Sequence, residues 1–586
     1  MLVASVLLVG AIGVGGALLR RTVPERLAGA GGWLFALGAG SGVQAVLASL
    51  LLGTGTFGRG SVLVLAAGGV AAWGFRPRVP RPAWPGVVTV LALAVLLAPA
   101  ALSSLSPPID TDEMYQHLAL ARHHAETGRL AGGFDWPDGS RPQPVHALLA
   151  AAFVLGGANA ARLWHLGLAV ALLVGAAELG DRKFGAGRGR VAALVCAASY
   201  SFTYEAGLAY NDVPAALWLL LAVEVALTAQ LARSALAFGL LAGLAVSAKY
   251  TAGPAAAAAG LLALHRATPG ERTRWAALAT LGGAALVLPW WARNAADGLH
   301  PLFPYAGWPL IEGFRFLYPE KYGVGHTWKD ALLLPINVLF RAKIHNNDFL
   351  GQLSWGWLPL GLGALWEARR NADARGLLGV LVVGFVAWGA SAQVIRYLLP
   401  LVGVAIVAAA ASRAGWLAIV ALCASAPQNL TPLWTEAGSQ WMVVGGELTE
   451  DVWLRRELPA WGALRYIRDH APPDAEVAQL FAWHGYWIDR PWILGSVEEH
   501  TPTRMWLAQH GDNALRALRE RGVTWLLVGD VRFLRKQYPF LPEAEWRAQF
   551  VAPRDLLTRL LARDAQRVYA GRHWEVYCLD ATATGE

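Results

Sequence analysis

The chain is poor in charge. Of its 586 residues only 15% are Asp, Glu, Lys or Arg, against 55% hydrophobic, whereas soluble domains carry about 25% charged residues, which excludes an ordinary water-soluble enzyme. It is also poor in cysteine. Cys196, Cys423 and Cys578 lie far apart, two of them in apolar runs, leaving neither a disulfide framework nor a cysteine zinc site. No P-loop or G-x-G-x-x-G motif offers a cradle for a nucleotide phosphate, and no internal repeat is visible. A net charge of +8 would suit nucleic acid only if the basic residues clustered on a polar face, and they do not.

What the chain does have is apolar runs, with a mean hydropathy of +0.39. About fourteen stretches before residue 428 are candidates to span a bilayer, near 2–19, 28–52, 61–75, 84–104, 160–180, 190–205, 212–231, 234–248, 251–265, 275–292, 353–367, 376–392, 396–411 and 413–427. The first lacks a basic flank and a cleavage site and reads as a retained helix, not a signal peptide. Composition shifts near 428. Residues 1–427 hold 31 Lys+Arg and 20 Asp+Glu, and 428–586 hold 18 and 21, so a membrane part of +11 precedes a polar tail of −3. Basic short loops stay on the cytoplasmic side. Those at Arg20 to Arg26, Arg76 to Arg81, Asp181 to Arg190, His265 to Arg274 and Glu367 to Arg375 all thread to one face. The other face then receives the long loops 105–159 and 293–352 and the tail 428–586. The expected fold class is a polytopic α-helical membrane protein with a C-terminal α/β domain. In that tail, helical patterns at Trp453 to His470 and Asp512 to Arg521 alternate with strands at Glu476 to Phe481 and Val523 to Val528, and Gly571 joins a terminal hairpin.

The candidate chemistry gathers on the outer face. Pro107-Pro108-Ile109-Asp110-Thr111-Asp112-Glu113 opens the first long loop with three carboxylates in four residues. Such crowding can raise a pKa and make a general base or a metal ligand; equally, Asp110 or Asp112 can cap the helix that follows. Trp136, Asp138, Arg141 and His146 follow in a Pro-rich stretch. Asp212, in Tyr210-Asn211-Asp212, and Lys249-Tyr250 sit at outer helix ends, where an ionisable group is either functional or a cap or snorkelling residue. Arg293 follows Pro289-Trp290-Trp291, and His300-Pro301-Leu302-Phe303-Pro304 begins the second loop, which also carries Arg315, Lys321, His345 and Asp348. Arg396-Tyr397 heads a late helix, and its planar guanidinium suits a phosphate. Glu178, Glu205 and Glu224 read as packing residues.

These motifs, in this order over about 290 residues, resemble the bacterial C-type (GT-C) glycosyltransferases of the protein-O-mannosyltransferase and aminoarabinose-transferase superfamily. The resemblance implies an inverting transfer of a sugar from a polyprenyl-phosphate donor to a periplasmic acceptor, whether lipid, protein or polysaccharide, by an enzyme of the bacterial inner membrane. It implies that Asp112, with Glu113 and Asp110, supplies the base. Asp212, Lys249, Tyr250, Arg293, His300, Arg396 and Tyr397 fall in the substrate-binding motifs, with Lys249, Arg293 and Arg396 near the donor phosphate. Some members use a divalent metal, for which this sequence shows no ligand set. Relatives commonly begin with one helix before the acidic loop, whereas here roughly four precede it. Two other readings remain: a transporter or flippase of lipid-linked saccharides, and a non-catalytic membrane assembly component.

Overall fold

A computed structural model describes residues 1–22, 32–75, 86–228, 234–307, 317, 321–344, 348–496, 500–531, 535 and 538–579. Arg26, Arg76, Arg78, Arg81, Arg315 and His345 lie outside the described residues. Helix occupies each of the apolar stretches read from the sequence, but five described helices are long and apolar enough to cross a membrane: Gly32–Gly53, Val87–Leu105, Pro144–Phe184, Pro269–Ala296 and Ala372–Gly389. Some of the others are short and enclosed by protein. Asp212–Leu227 is buried along its entire length, and a helix of that kind need not match the bilayer's thickness. The stretch expected at 190–205 is two helices, Arg188–Ala197 and Tyr200–Ala206; the second begins where the Asn429 side chain accepts the Tyr200 amide at 3.0 Å.

Pro144–Phe184 contains 41 residues, about 60 Å of helix at 1.5 Å per residue, twice a bilayer's hydrocarbon core. It kinks at Gly156 and Gly157, where Gly157 takes φ 71°, a conformation a side chain would strain. The last third of the loop expected at 105–159 is therefore helix. At the far end of this helix Lys183 pairs with Glu224 at 3.1 Å, and Arg266 pairs with Asp373 at 2.8 Å. The helix ends flanking three of the basic short loops thus meet on the face opposite Pro144 and Asp212.

The compositional boundary at 427/428 falls inside a helix, Gly415–Val444. Composition marks where apolar residues thin out, and this helix continues as they do. Beyond it, Glu450–Glu457 and Trp461–His470 replace the one helix expected at 453–470, because Pro459 interrupts the ladder. Five strands follow: β1 Glu476–Leu480, β2 Trp492–Ile493, β3 Val523–Gly529, β4 Gln566–Ala570 and β5 Trp574–Cys578. They form one mixed sheet ordered β2-β1-β3-β5-β4, parallel where β1 meets β2 and β3 and antiparallel elsewhere. Gly522, at φ 94°, turns the chain from the helix Ala514–Glu520 into β3.

This α/β region sits on the long loop that opens with the acidic residues. Trp487 Nε1 donates to the Pro108 carbonyl at 2.8 Å, Arg122 donates to the Tyr486 carbonyl at 2.6 Å, and the Leu494 amide donates to the Asp135 carbonyl at 3.1 Å. Met114 joins an apolar cluster with Trp453, Trp461 and Trp525.

Candidate active site

The acidic loop acquires its shape from Asp110. After Pro107 and Pro108 end the helix Val87–Leu105, Asp110 Oδ1 accepts the amides of Asp112 and Glu113 at 3.0 and 3.1 Å, the capping role weighed from its sequence position. Tyr204 donates to its other oxygen at 2.8 Å and Tyr210 to the first. Burial, with the Asp112 carboxylate next to it, holds the Asp110 carboxyl above the ordinary carboxylate range. The helix it caps opens with a π turn, Glu113–His117, and continues to Thr127, ending on Gly128 at φ 67°. Extra residues of this kind in a helix recur at functional sites, where they re-aim side chains.

The three carboxylates separate in space. Glu113 turns into the protein, where Arg162 grips both of its oxygens at 2.9 and 2.6 Å and the Ala209 amide donates at 2.6 Å. Burial pushes its carboxyl up and Arg162 opposes that. Arg162 also donates to the Ser103 and Ser106 carbonyls at 2.7 Å, so this pair fastens the loop to the helix before it. Asp112 alone faces a cavity of about 970 Å³, and it is the single acidic side chain among the described residues lining that space.

Asp112 Oδ2 pairs with Arg396, while its Oδ1 has no partner among the described residues. Arg396 lies over the rings of Tyr210 and Tyr397 at 5.1 and 5.5 Å, with Glu205 Oε1 3.8 Å from its Nε; Glu205, read as packing, is thus a buried neighbour of the site's cation. Lys249 lines the same cavity. Its Nζ stands 2.7 and 2.8 Å from the two oxygens of fully buried Asp212 and 4.9 Å from the Tyr397 ring. Asp212 therefore anchors Lys249 from behind. Tyr250 accepts from Trp291 at 2.9 Å and stacks edge-on with Tyr305 at 5.1 Å.

Two residues of the substrate-binding motifs, Arg293 and His300, do not line this cavity. Arg293 donates to the Gly139 carbonyl at 3.1 Å and to the Ala131 carbonyl, holding the first outer loop on a side outside this cavity. Those carbonyls leave regular structure and need a donor, which a sequence motif does not reveal. His300 accepts the Leu302 amide at 3.1 Å and closes a turn; Leu302, Pro304 and Tyr305 reach the cavity in its place.

The structure adds residues that the sequence left unassigned. His117 and His146 stack on the wall, Nδ1 to Nε2 at 2.9 Å. Burial, then His146, Arg396 and the other nearby cations, pushes His117 well below the ordinary histidine range, so it stands there as neutral imidazole. His117 lies five residues after Asp112, about one turn further along the π turn Glu113–His117, a spacing that could have flagged it. Arg141 and Lys321 bring two more cations, and Trp483, His500 and Tyr538 of the C-terminal region complete the rim. Among the described residues no three His, Cys, Asp or Glu side chains group as a metal site. A carboxylate oxygen, four cationic side chains and several aromatic faces around one space can deprotonate a hydroxyl, hold an anion and stack a ring.

No family model and no curated protein matches the chain. Solved structures do. ArnT from Cupriavidus metallidurans bound to undecaprenyl phosphate matches at TM-score 0.53 and 15% identity, over 85% of this chain and 99% of that one. The apo form of the same protein matches at TM-score 0.51, with the same identity and coverage. At that identity the likeness is one of fold. The chain therefore has the fold of ArnT, a C-type glycosyltransferase, as its acidic loop and helix-end motifs imply.

Proposed function

We propose that the protein is an inverting membrane glycosyltransferase that moves a sugar from a polyprenyl-phosphate donor to an acceptor on the outer face of the bacterial inner membrane. One observation carries the reading: among the described residues the cavity presents a single carboxylate, Asp112, with the cations Arg396, Lys249, Arg141 and Lys321. An acceptor hydroxyl or amine gives its proton to Asp112 as it bonds to the anomeric carbon. The bond from that carbon to the phosphate oxygen breaks on the opposite face, and the electron pair leaves with the phosphate. Attack and departure on opposite faces invert the anomeric centre. The four cations oppose the charge that develops on the departing phosphate. The stacked His117–His146 pair and the tyrosine rings offer hydrogen bonds and apolar faces to a sugar. The ArnT structure with undecaprenyl phosphate supports a lipid-phosphate donor. Against a transporter, the polar groups gather at one cavity built from loops and helix ends, whereas transporters hold their substrates between broken helices near the bilayer midplane.

Mass spectrometry of the lipid fraction from a strain lacking the gene tests this. A polyprenyl-phosphate sugar should accumulate, and it should be cleared by the native chain but not by Asp112→Asn. A lipid fraction identical to that of the parent strain would defeat the reading.

A further inference from the structure

A second cavity, of about 730 Å³, lies beside the first and is walled mainly by Val46, Leu50, Leu130, Leu244, Ala285 and Leu286. One of its sides is the helix Gly32–Gly53, among the helices that precede the acidic loop and have no part in the chemistry above. Its other sides are the ends of Ala235–Ala248 and Arg272–Ala296. Leu50 is 60% exposed and Leu288 50% exposed, so this flank meets lipid. Two guanidinium groups, those of Arg129 and Arg293, stand in the lining, and no acidic side chain lines it among the described residues. Arg293 spends part of its fork on the Gly139 and Ala131 carbonyls. The Arg129 side chain, which reaches over Gly55 at the outer end of Gly32–Gly53, forms no ion pair among the described residues.

The geometry points to a binding site for an anionic membrane phospholipid, its phosphate between Arg129 and Arg293 and its acyl chains along the apolar wall. Charge selects this occupant. An apolar groove open to a bilayer accepts any lipid tail, but two cations at the interfacial end, Arg129 without an ion pair among the described residues and Arg293 with only the half-exposed Asp297 carboxylate at 3.9 Å, favour a headgroup with net negative charge. Ser247 lines both this groove and the cavity of Asp112, so the bound lipid stands one helix end away from the reaction space. The site owes nothing to the proposed transfer reaction, and its binding can be read without turnover.

Native mass spectrometry of the full chain in detergent, titrated with dioleoyl phosphatidylglycerol or dioleoyl phosphatidylcholine, decides the matter. The glycerol lipid should be retained about tenfold better, as two cations near a headgroup provide. Arg129→Glu reverses the exposed charge, and Ala285→Trp fills the groove from a lipid-facing position; each should lower phosphatidylglycerol retention several-fold without changing the monomer's melting temperature. Asp112→Asn should leave it unchanged. Equal retention of the two lipids by the native chain, or undiminished selectivity in both groove variants, overturns the site.

Discussion

Asp112 and Arg396 are 284 residues apart in the chain and form one ion pair on the wall of the cavity. The pair fixes the carboxylate through Oδ2 and leaves Oδ1 to an incoming acceptor. Asp112→Asn preserves the shape and removes the base, so turnover should fall by about 10²–10⁴ with unchanged thermal stability. Arg396→Ala should raise the donor KM as well as lower kcat, because it deletes a phosphate contact and frees the carboxylate to wander. Steady-state kinetics on a purified lipid-phosphate sugar would separate the two; equal turnover in native and Asp112→Asn protein would remove Asp112 from the chemistry.

Glu113, the next residue, should behave oppositely. It is buried with Arg162, and removing one partner of such a pair costs about 3–5 kcal/mol because the other charge is left alone in low dielectric. Arg162→Met should therefore lower the melting temperature and the yield of folded protein, whereas Glu113→Gln, which keeps hydrogen bonds to the guanidinium, should cost less. What folds of Glu113→Gln should retain most of its kcat. A folded Glu113→Gln protein as inactive as Asp112→Asn would place Glu113 in the reaction.

The two neighbours show what could be read in the sequence. A low overall charge made each ionisable residue at an outer helix end conspicuous, since such groups are costly beside lipid, and Asp112, Lys249 and Arg396 stood out on that ground. Which of Asp110, Asp112 and Glu113 faces the cavity depended on Arg162, inside an apolar stretch and 49 residues from its partner. An arginine in a span demands a carboxylate, so the signal existed, but Glu113 was one of several that could answer it. Trp483, His500 and Tyr538 carried no such signal. They reach the cavity because a sheet in the C-terminal region docks on the first outer loop through contacts as distant in sequence as Trp487 to Pro108, and neither periodicity nor motif spacing encodes that docking. The helix Gly415–Val444 was legible as helix, while its end was not, because it keeps its ladder where its composition turns polar.

Lys249 and Asp212 allow structure and chemistry to be separated in one position. Lys249→Ala leaves the Asp212 carboxylate buried without its cation, and should destabilise the protein by about 3–5 kcal/mol. Adding Asp212→Asn removes the orphaned charge, so the double variant should recover much of that stability. It should not recover activity, because the cation facing the cavity is still absent. If the double variant regains both stability and donor affinity, Lys249 serves packing alone.

The C-terminal region should weaken in acid. His484 and His500 are 2% and 3% exposed, and burial pushes both imidazoles from 6.5 down to about 3, with Lys321 and Arg504 adding to the effect on His500. Above pH 6.5 both states are neutral and the histidines are indifferent to folding. Between 6.5 and 3 the unfolded chain takes up protons that the folded chain refuses, so stability falls as pH falls, by about 2 kcal/mol per histidine at pH 5. Trp483 stacks on His484 at 5.1 Å and meets the tilted His500 ring at 5.4 Å, which ties their protonation to the rim of the cavity. Hydrogen exchange, corrected for its intrinsic pH dependence, should show β1 and β3 losing protection between pH 7 and pH 5 while Asp212–Leu227 keeps its own. His484→Gln with His500→Gln should flatten that slope whatever it does to absolute stability. Unchanged protection of β1 and β3 in the native chain would mean that the two imidazoles accept protons in place, and that the acid sensitivity of any activity arises in the cavity itself.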